Sequence, residues 1–570
     1  MLEKCKREYD RWLSHPSVSQ NEKAVLKGYS DNDILLYFKG RLTFGTAGLR
    51  GIMAPGTGAM NVHTVAHATR ALASVIRQEG RCDDGVVIAC DSRCGSEEFA
   101  RTAAAVMAHE GIKCYIFDSL RPTPVLSFAV RELECAAGIN ITASHNPKEY
   151  NGYKAYWDDG AQLSPALADR VARAGDGFDV LDCPGDDFDT AVAQGKITVV
   201  GPEIDEKYIE CVLMQRVCPE KLENARDMSI VYTPLNGAGY ILVPEVLKRA
   251  GIKNLYLVES QSKPDGTFPT TPYPNPEYKD VFLPGIELAD RVGADFVIAT
   301  DPDADRMGIA VREKSGEFVC LTGNQVGCLL LDYIIRSLKE QNRLPARAYA
   351  VKSFVTTELA SRIAAKHGVD MFNVFTGFKY IGEKMTCEED ASTGREFLLG
   401  FEESYGYLRG TYARDKDAVV ASMLVAEAAA HYNALGMTLY DAMEAVYKEY
   451  GYFADIVSSV RMEGVEGAER IASFMKKIRT APPCEIGGFR VTGMIDYLIP
   501  EMTNCITGEK TPLDTGKADS VYFTMGDTVA VMRPSGTEPL VKFYAMASGS
   551  TMEDAREKAE RIIKACKETV

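Results

Sequence analysis

VVIACDSR, residues 86–93, is an apolar run that closes on a polar loop, and EEFARTAAAVMAHEG, residues 97–111, follows with the alanines and long side chains that favour helix. Buried strand, loop and helix in that order form the repeating unit of an α/β sheet. The order returns in SIVYTPLNGAG (229–239) before YILVPEVLKRAG, and in AYAVKSFVTT (348–357) before ELASRIAAKHG. The three share a pattern but not letters, so they are topological echoes and not a sequence repeat. Ser96 and Gly111 are the expected ends of the first helix, and Gly368 of the one starting near Glu358. Loops of such units fall beyond the carboxyl ends of the strands, where α/β sheets bind ligands.

Working outward, 570 residues at 46% hydrophobic content suit about three to five domains at ~100–200 residues each. The charged share of 25% and the absence of low-complexity tracts predict a chain that folds throughout. Its start, MLEKCKREYDRW, has neither a secretory core nor an arginine-rich presequence, so a soluble, cytoplasmic protein is expected. The apolar residues 419–437 include Glu427 and His431, which predicts a buried helix and no membrane partner. Fifteen cysteines, scattered singly, fit reduced thiols better than disulfides or zinc. With 64 basic against 80 acidic residues, nucleic acid is an unsuitable partner, and an anionic substrate needs a locally basic cleft.

Two stretches read as connectors: DCPGDDFD (182–189), and SKPDGTFPTTPYPNPE (262–277), whose prolines predict a long extended surface loop. Near Gly451 a long helical region, 418–450, gives way to the strand-like YFADIVSSVRM. The final residues, from Thr551, read as a helix capped by that threonine.

Four loops carry chemistry. ITASHNPKEYNGYK (141–154) runs from a strand into polar residues and a proline, and by itself is a turn. VIATDPDADRMGIAV (297–311) sets Asp301, Asp303 and Asp305 between two apolar strands. Carboxylates so close repel unless a cation sits among them, and oxygen-only ligands favour Mg²⁺ or Ca²⁺ over zinc. The loop lacks the glycine and glutamate spacing of an EF-hand and joins strands, not helices. FLLGFEESYGY (397–407) sets Glu402 and Ser404 where they could meet vicinal hydroxyls of a sugar, or is a pair of solvated glutamates on a loop. VAVMRPSGTEPLVKFY (529–544) joins Arg533 to a Ser-Gly-Thr turn, a receptor for a phosphate dianion or else a plain hairpin.

Together TASHNP, DPDADR, GFEES and RPSGTEP, in that order, resemble the four active-site loops of the α-D-phosphohexomutase superfamily, and FGTAGLRG (44–51) resembles its N-terminal motif. The wording of the first and third loops is similar to the phosphoglucomutase and phosphopentomutase branch, which also includes glucose-1,6-bisphosphate synthases. The resemblance implies an α/β fold of four domains around a central cleft, the first three with mixed sheets and helices on both faces, the last a smaller α+β domain. On that pattern the domains are 1–204, 205–324, 325–451 and 452–570, each contributing one loop.

By the same resemblance Ser144 is the phosphorylated serine, and Asp301, Asp303 and Asp305 bind one Mg²⁺ per chain together with an oxygen on Ser144. Glu402 and Ser404 grip the sugar, with Thr376 and Gly377 of TGFKYIG touching it. Arg533, Ser535, Gly536 and Thr537 hold the substrate's phosphate. Arg50, His145, Lys154 and Arg306 line the reacting centre, and Lys416 is a further basic position that attracts phosphate or is merely solvated. The implied reaction interconverts glucose 1-phosphate and glucose 6-phosphate through phosphoserine and glucose 1,6-bisphosphate, which turns over in the cleft beneath a mobile last domain. Ribose or deoxyribose 1-phosphate is the alternative substrate, bisphosphate synthesis an alternative activity, and a metal-dependent sugar-phosphate phosphohydrolase the alternative of a different class. Bacterial enzymes of the superfamily that act on both mannose and glucose phosphates usually have a histidine after the Ser-Gly of this loop; here Tyr405 and Gly406 follow Ser404, which favours glucose over mannose.

Overall fold

The structure, a computed structural model, describes every residue except 43, 46, 47, 226, 463, 514, 536–539 and 570, and leaves the side chains of 464–466 and 468 undescribed. Gly536 and Thr537 therefore lie outside the described residues. The first sheet has six strands, ordered Leu49–Ile52, Tyr150–Trp157, Ala137–Ile141, Val86–Cys90, Cys114–Phe117 and Ile197–Val200. Its first two pairings are antiparallel and the rest parallel. Val86–Cys90 and Ala137–Ile141 are almost wholly buried, as strands covered on both faces must be, which is why they read as unbroken apolar runs.

The second sheet runs Phe318–Leu321, Met307–Arg312, Phe296–Thr300, Ser229–Thr233, Asn254–Leu257, and is also mixed. The third, Asp370–Val374, Ala348–Ser353, Glu396–Glu402 and Gly406–Leu408, pairs in parallel until its last hairpin. The fourth is different in kind: seven antiparallel strands from Tyr452–Arg461 to the edge strand Lys510–Pro512. Its helices Gly464–Thr480 and Met552–Glu568 share one apolar core with it. Three α/β units with mixed sheets and an α+β unit are thus present. The other face of the fourth sheet sets Val529, Val531, Tyr544 and Met546 against Phe354 and Val355 of the third unit.

The structure sharpens four local expectations. Ser96 is the first residue of its helix, Ser96–His109, but not the cap, which is Gly95 at φ 77°; the serine hydroxyl is turned down onto Asp91 Oδ1 at 2.8 Å. Residues 418–450 form two helices, Ala418–Ala434 and Leu439–Tyr450, bent by 83°, because Gly436 takes a positive φ and Thr438 starts a fresh capping box with Asp441. The proline-rich 262–277 is the irregular, partly exposed stretch expected, but it is anchored: Phe268, Thr271 and Asn275 are buried. Lys416, 7% exposed, is not a solvated lysine.

Other expectations hold. Gly368 at φ 73° ends Glu358–His367, and Thr551 accepts from the Asp554 N–H at the head of the last helix. Ala418–Ala434 is buried on all sides, and its Glu427 is compensated by the N–H groups of Val217 and Cys218 and the Tyr333 hydroxyl, at 2.8, 3.1 and 2.8 Å. Among the described residues no single helix is long and apolar enough to cross a membrane.

Candidate active site

Each loop of interest leaves the end of a strand. Ser144 follows Ala137–Ile141, the aspartates follow Phe296–Thr300, and Glu402 ends Glu396–Glu402. Three residues at these turns take positive φ without being glycine: Ser144 (52°), Ala304 (49°) and Tyr405 (67°). Such backbone costs roughly 1–3 kcal/mol each and persists only where packing imposes it. One instance of that packing is Gly237, on the loop after Ser229–Thr233, where an added Cβ would stand 2.4 Å from Pro302 Cα. The neighbouring Ala238 N–H donates to Pro302 O at 2.7 Å.

The first two loops meet. Ser144 Oγ donates to Asp301 Oδ2 at 2.8 Å and lies 3.1 Å from His145 Nδ1. Asp301 Oδ1 accepts the N–H groups of Asp305 and Arg306, which folds the acidic loop back on itself. Lys154 reaches across from Tyr150–Trp157, its Nζ 2.7 Å from Asp303 Oδ2 and 3.0 Å from Asp305 Oδ2. The third unit closes the group: Lys416 Nζ is also 3.0 Å from Asp305 Oδ2, the Met307 N–H donates to Tyr405 O at 3.0 Å, and Arg306 forms a bridge with Gly406.

All three aspartates are buried, with one oxygen from each within 4.8 Å of the others. Asp303 Oδ1 and Asp305 Oδ1 have no hydrogen-bond partner among the described residues. Buried carboxylate oxygens without donors, on a hard-ligand set, fit a small divalent cation such as Mg²⁺. The electrostatics divide the triad. Burial and its two neighbours push the Asp301 carboxyl well up, whereas burial at Asp305 is outweighed by Lys154 and Lys416, which hold it down. Burial disfavours the Lys154 charge, but Asp303 and Asp305 prevail and raise its pKa. Burial, with Arg306 and Arg50 close by, drives His145 well below its ordinary value, so its imidazole is neutral.

Arg50 lies on Leu49–Ile52 and donates to Asn146 Oδ1 at 3.0 Å, while Arg306 pairs with Glu277 at 2.8 Å. Glu402 accepts the Gly377 N–H at 2.7 Å, so the 376–377 turn and the sugar loop form one surface, on which Ser404 is half-buried. Thr376 Oγ1 is buried there without a partner among the described residues. Arg533 is the penultimate residue of Thr528–Pro534, and the Ser535 N–H donates to Leu540 O at 2.9 Å. Tyr544 of the same hairpin packs against Phe354 and Val355 of the third unit, its phenol pushed up by burial and by Glu403. No hydrogen bond among the described residues joins Arg533 to the serine and aspartate cluster.

Thr123 and Arg93 were not singled out in the sequence. Thr123 Oγ1 donates to Asp303 Oδ2 at 2.7 Å and its N–H to Asp303 O at 2.8 Å. The only signal was its place between two prolines, in RPTP (121–124). Asp415, which accepts from the Tyr156 hydroxyl at 2.8 Å, fixes the segment that delivers Lys416.

Three family profiles match in order: phosphoglucomutase/phosphomannomutase alpha/beta/alpha domain I at 41–176, domain II at 206–316 and domain III at 322–450. A phosphoglucomutase from Staphylococcus aureus is 36% identical over 533 residues, 92% of this chain and 93% of its own. Among solved structures, parafusin, a phosphoglucomutase from Paramecium in its open form, superposes with a TM-score of 0.70 at 18% identity, covering 93% of this chain and 94% of the other. A phosphoglucomutase/phosphomannomutase family protein from Burkholderia thailandensis gives 0.65 at 18%, covering 92% and 97%.

Proposed function

This chain belongs to the phosphoglucomutase/phosphomannomutase family and is a phosphohexomutase, an isomerase, and from that premise we propose that it interconverts glucose 1-phosphate and glucose 6-phosphate, with Ser144 carrying the phosphate between them. The observation that carries the reading is the Ser144 hydroxyl 2.8 Å from Asp301, inside a buried triad of carboxylates.

Asp301, Asp303 and Asp305, with an oxygen on Ser144, would hold Mg²⁺, which when bound neutralises charge on the phosphoryl group in transfer. Lys154 and Lys416 add positive charge to the same centre. Ser144 Oγ donates to Asp301 Oδ2 at 2.8 Å and has neutral His145 at 3.1 Å, while Asp303 and Asp305 keep Lys154 charged beside them. Arg50 and Arg306 flank the path of the phosphoryl group. Glu402, Ser404, Thr376 and Gly377 hold the sugar, and Arg533, Ser535, Gly536 and Thr537 the distal phosphate. That receptor serves both orientations of glucose 1,6-bisphosphate, the intermediate and activator. We assign the units as 1–204, 205–324, 325–451 and 452–570, and the protein to the cytoplasm, acting on small sugar phosphates.

A coupled assay on glucose 1-phosphate, ribose 1-phosphate and mannose 1-phosphate, with bisphosphate supplied, tests the reading. Glucose 1-phosphate should give the highest kcat/KM. A preference for ribose 1-phosphate would transfer the reading to a phosphopentomutase, and inorganic phosphate released at the turnover rate would replace it by a hydrolase.

Glu402 supplies a pH test. Burial, and Glu403 beside it, raise its carboxyl to about 7 from 4.5, against the opposing pull of Lys416, the Gly377 N–H and Arg306. The folded state therefore holds a proton more tightly than the unfolded chain between pH 4.5 and 7, so its stability falls as pH rises through that window. Glu402→Gln, which carries no such proton, should gain in Tm relative to the parent from pH 4.5 to 7 and run parallel above. Curves parallel throughout would contradict the assignment.

A further inference from the structure

The loop bearing Ser144 wraps around one buried side chain. Arg93 has no exposed side-chain surface. Its Nη1 donates to the carbonyls of Pro147 at 2.8 Å and Tyr150 at 3.0 Å, and its Nη2 to those of Ser144 and Asn146. Asp91, 3.3 Å from Nε, balances the charge. That carboxylate is itself fixed by the hydroxyls of Thr142 and Ser96 and by the Arg93 N–H. The Thr142 hydroxyl in turn accepts the Ser144 N–H at 2.8 Å.

A second unit seals the group. The ring of Phe268, in the proline-rich stretch, lies 5.1 Å from the guanidinium carbon. Gly266 approaches so closely that an added Cβ would stand 2.4 Å from the Cys94 nitrogen. Guanidinium donors form a rigid planar fork, so carbonyls from four positions of one loop reach them only if the loop curls around that plane. Ser144 takes its positive φ within this curl.

We propose that Arg93 is a positioning residue for phosphoryl transfer: it shapes residues 144–150 so that Ser144 Oγ faces Asp301, and Phe268 excludes water from the charge that does so. The proline-rich stretch thereby ties the unit that supplies the aspartates to the loop that supplies the serine. This rests on the function proposed above, in which Ser144 carries the phosphate.

Arg93→Lys keeps the charge and loses the fork. Its kcat should fall ~100-fold, the scale of a misplacement near 1 Å, with KM for glucose 1-phosphate nearly unchanged. Amide hydrogen exchange at 144–150 should quicken about tenfold while Val86–Cys90 keeps its protection. An unchanged kcat, or exchange that rises equally across the first sheet, would overturn the proposal. Should Arg93→Lys fail to fold, Phe268→Leu, which keeps an apolar cover but removes the ring face, should quicken exchange at 144–150 alone; no local change there would overturn it equally. Exchange is read without substrate, so a chain that moves no phosphate would defeat the function while leaving this part of the test intact.

Discussion

Ser144→Ala should abolish isomerisation, lowering kcat by at least ~10⁴-fold, because a group transferred through a covalent serine ester has no substitute acceptor. Binding of glucose 6-phosphate should persist, since the sugar and phosphate loops do not depend on the hydroxyl. The backbone at Ser144, at φ 52°, complicates a single variant, and Ser144→Gly removes the complication: glycine adopts that conformation freely, so its loss of activity reports the hydroxyl and not strain. Incubation with glucose bisphosphate labelled in its phosphates should leave acid-stable phosphoserine on the parent and none on either variant. Turnover within tenfold of the parent in both would remove Ser144 from the mechanism.

The parts of this site legible in the sequence are those whose chemistry is local. Asp301, Asp303 and Asp305 occupy alternate positions between two strands, so both their repulsion and their placement at a strand end follow from neighbours. Arg93 and Thr123 gave no such signal. Arg93 acts on carbonyls 51 or more residues away, and Thr123 on a carboxylate 180 residues away. Neither separation leaves a periodicity or a spacing to read. The same physics divides the proline-rich stretch: proline forbids regular structure, which the composition announces, whereas the docking of Phe268 against Arg93, which buries that one anchor, depends on a residue far away in the chain. Lys416 was ambiguous because a lysine's exposure is decided by its partners, here Asp305 and Asp415. Ser96 does begin its helix, but its hydroxyl caps no N–H there, being held by the buried Asp91 below it.

Asp301→Asn should erase the stabilisation that Mg²⁺ gives the protein while leaving the metal-free protein at least as stable as the parent. At a hundredfold excess over its Kd a ligand specific to the folded state adds about 2.7 kcal/mol, visible as a rise in Tm when Mg²⁺ is titrated into chelator-treated protein. Asparagine keeps the shape of Asp301 and an oxygen for the N–H groups of Asp305 and Arg306, and its amide can still meet the Ser144 hydroxyl. It replaces the carboxyl whose charge burial and its two neighbours already disfavour, and which no lysine contacts among the described residues. Asp303→Asn makes the contrasting case, for it takes away the carboxylate 2.7 Å from the buried ammonium of Lys154. Breaking a buried pair on one side costs on the order of 3–5 kcal/mol, an upper figure here because Asp305 still faces Lys154. Both variants should lose activity by at least ~10³-fold, the usual scale for electrostatic groups at a phosphoryl-transfer centre, yet only Asp303→Asn should lower the metal-free Tm. A retained Mg²⁺ response in Asp301→Asn would place the cation elsewhere, and equal destabilisation by the two substitutions would mean that the triad is held by packing and not by the balance of its charges.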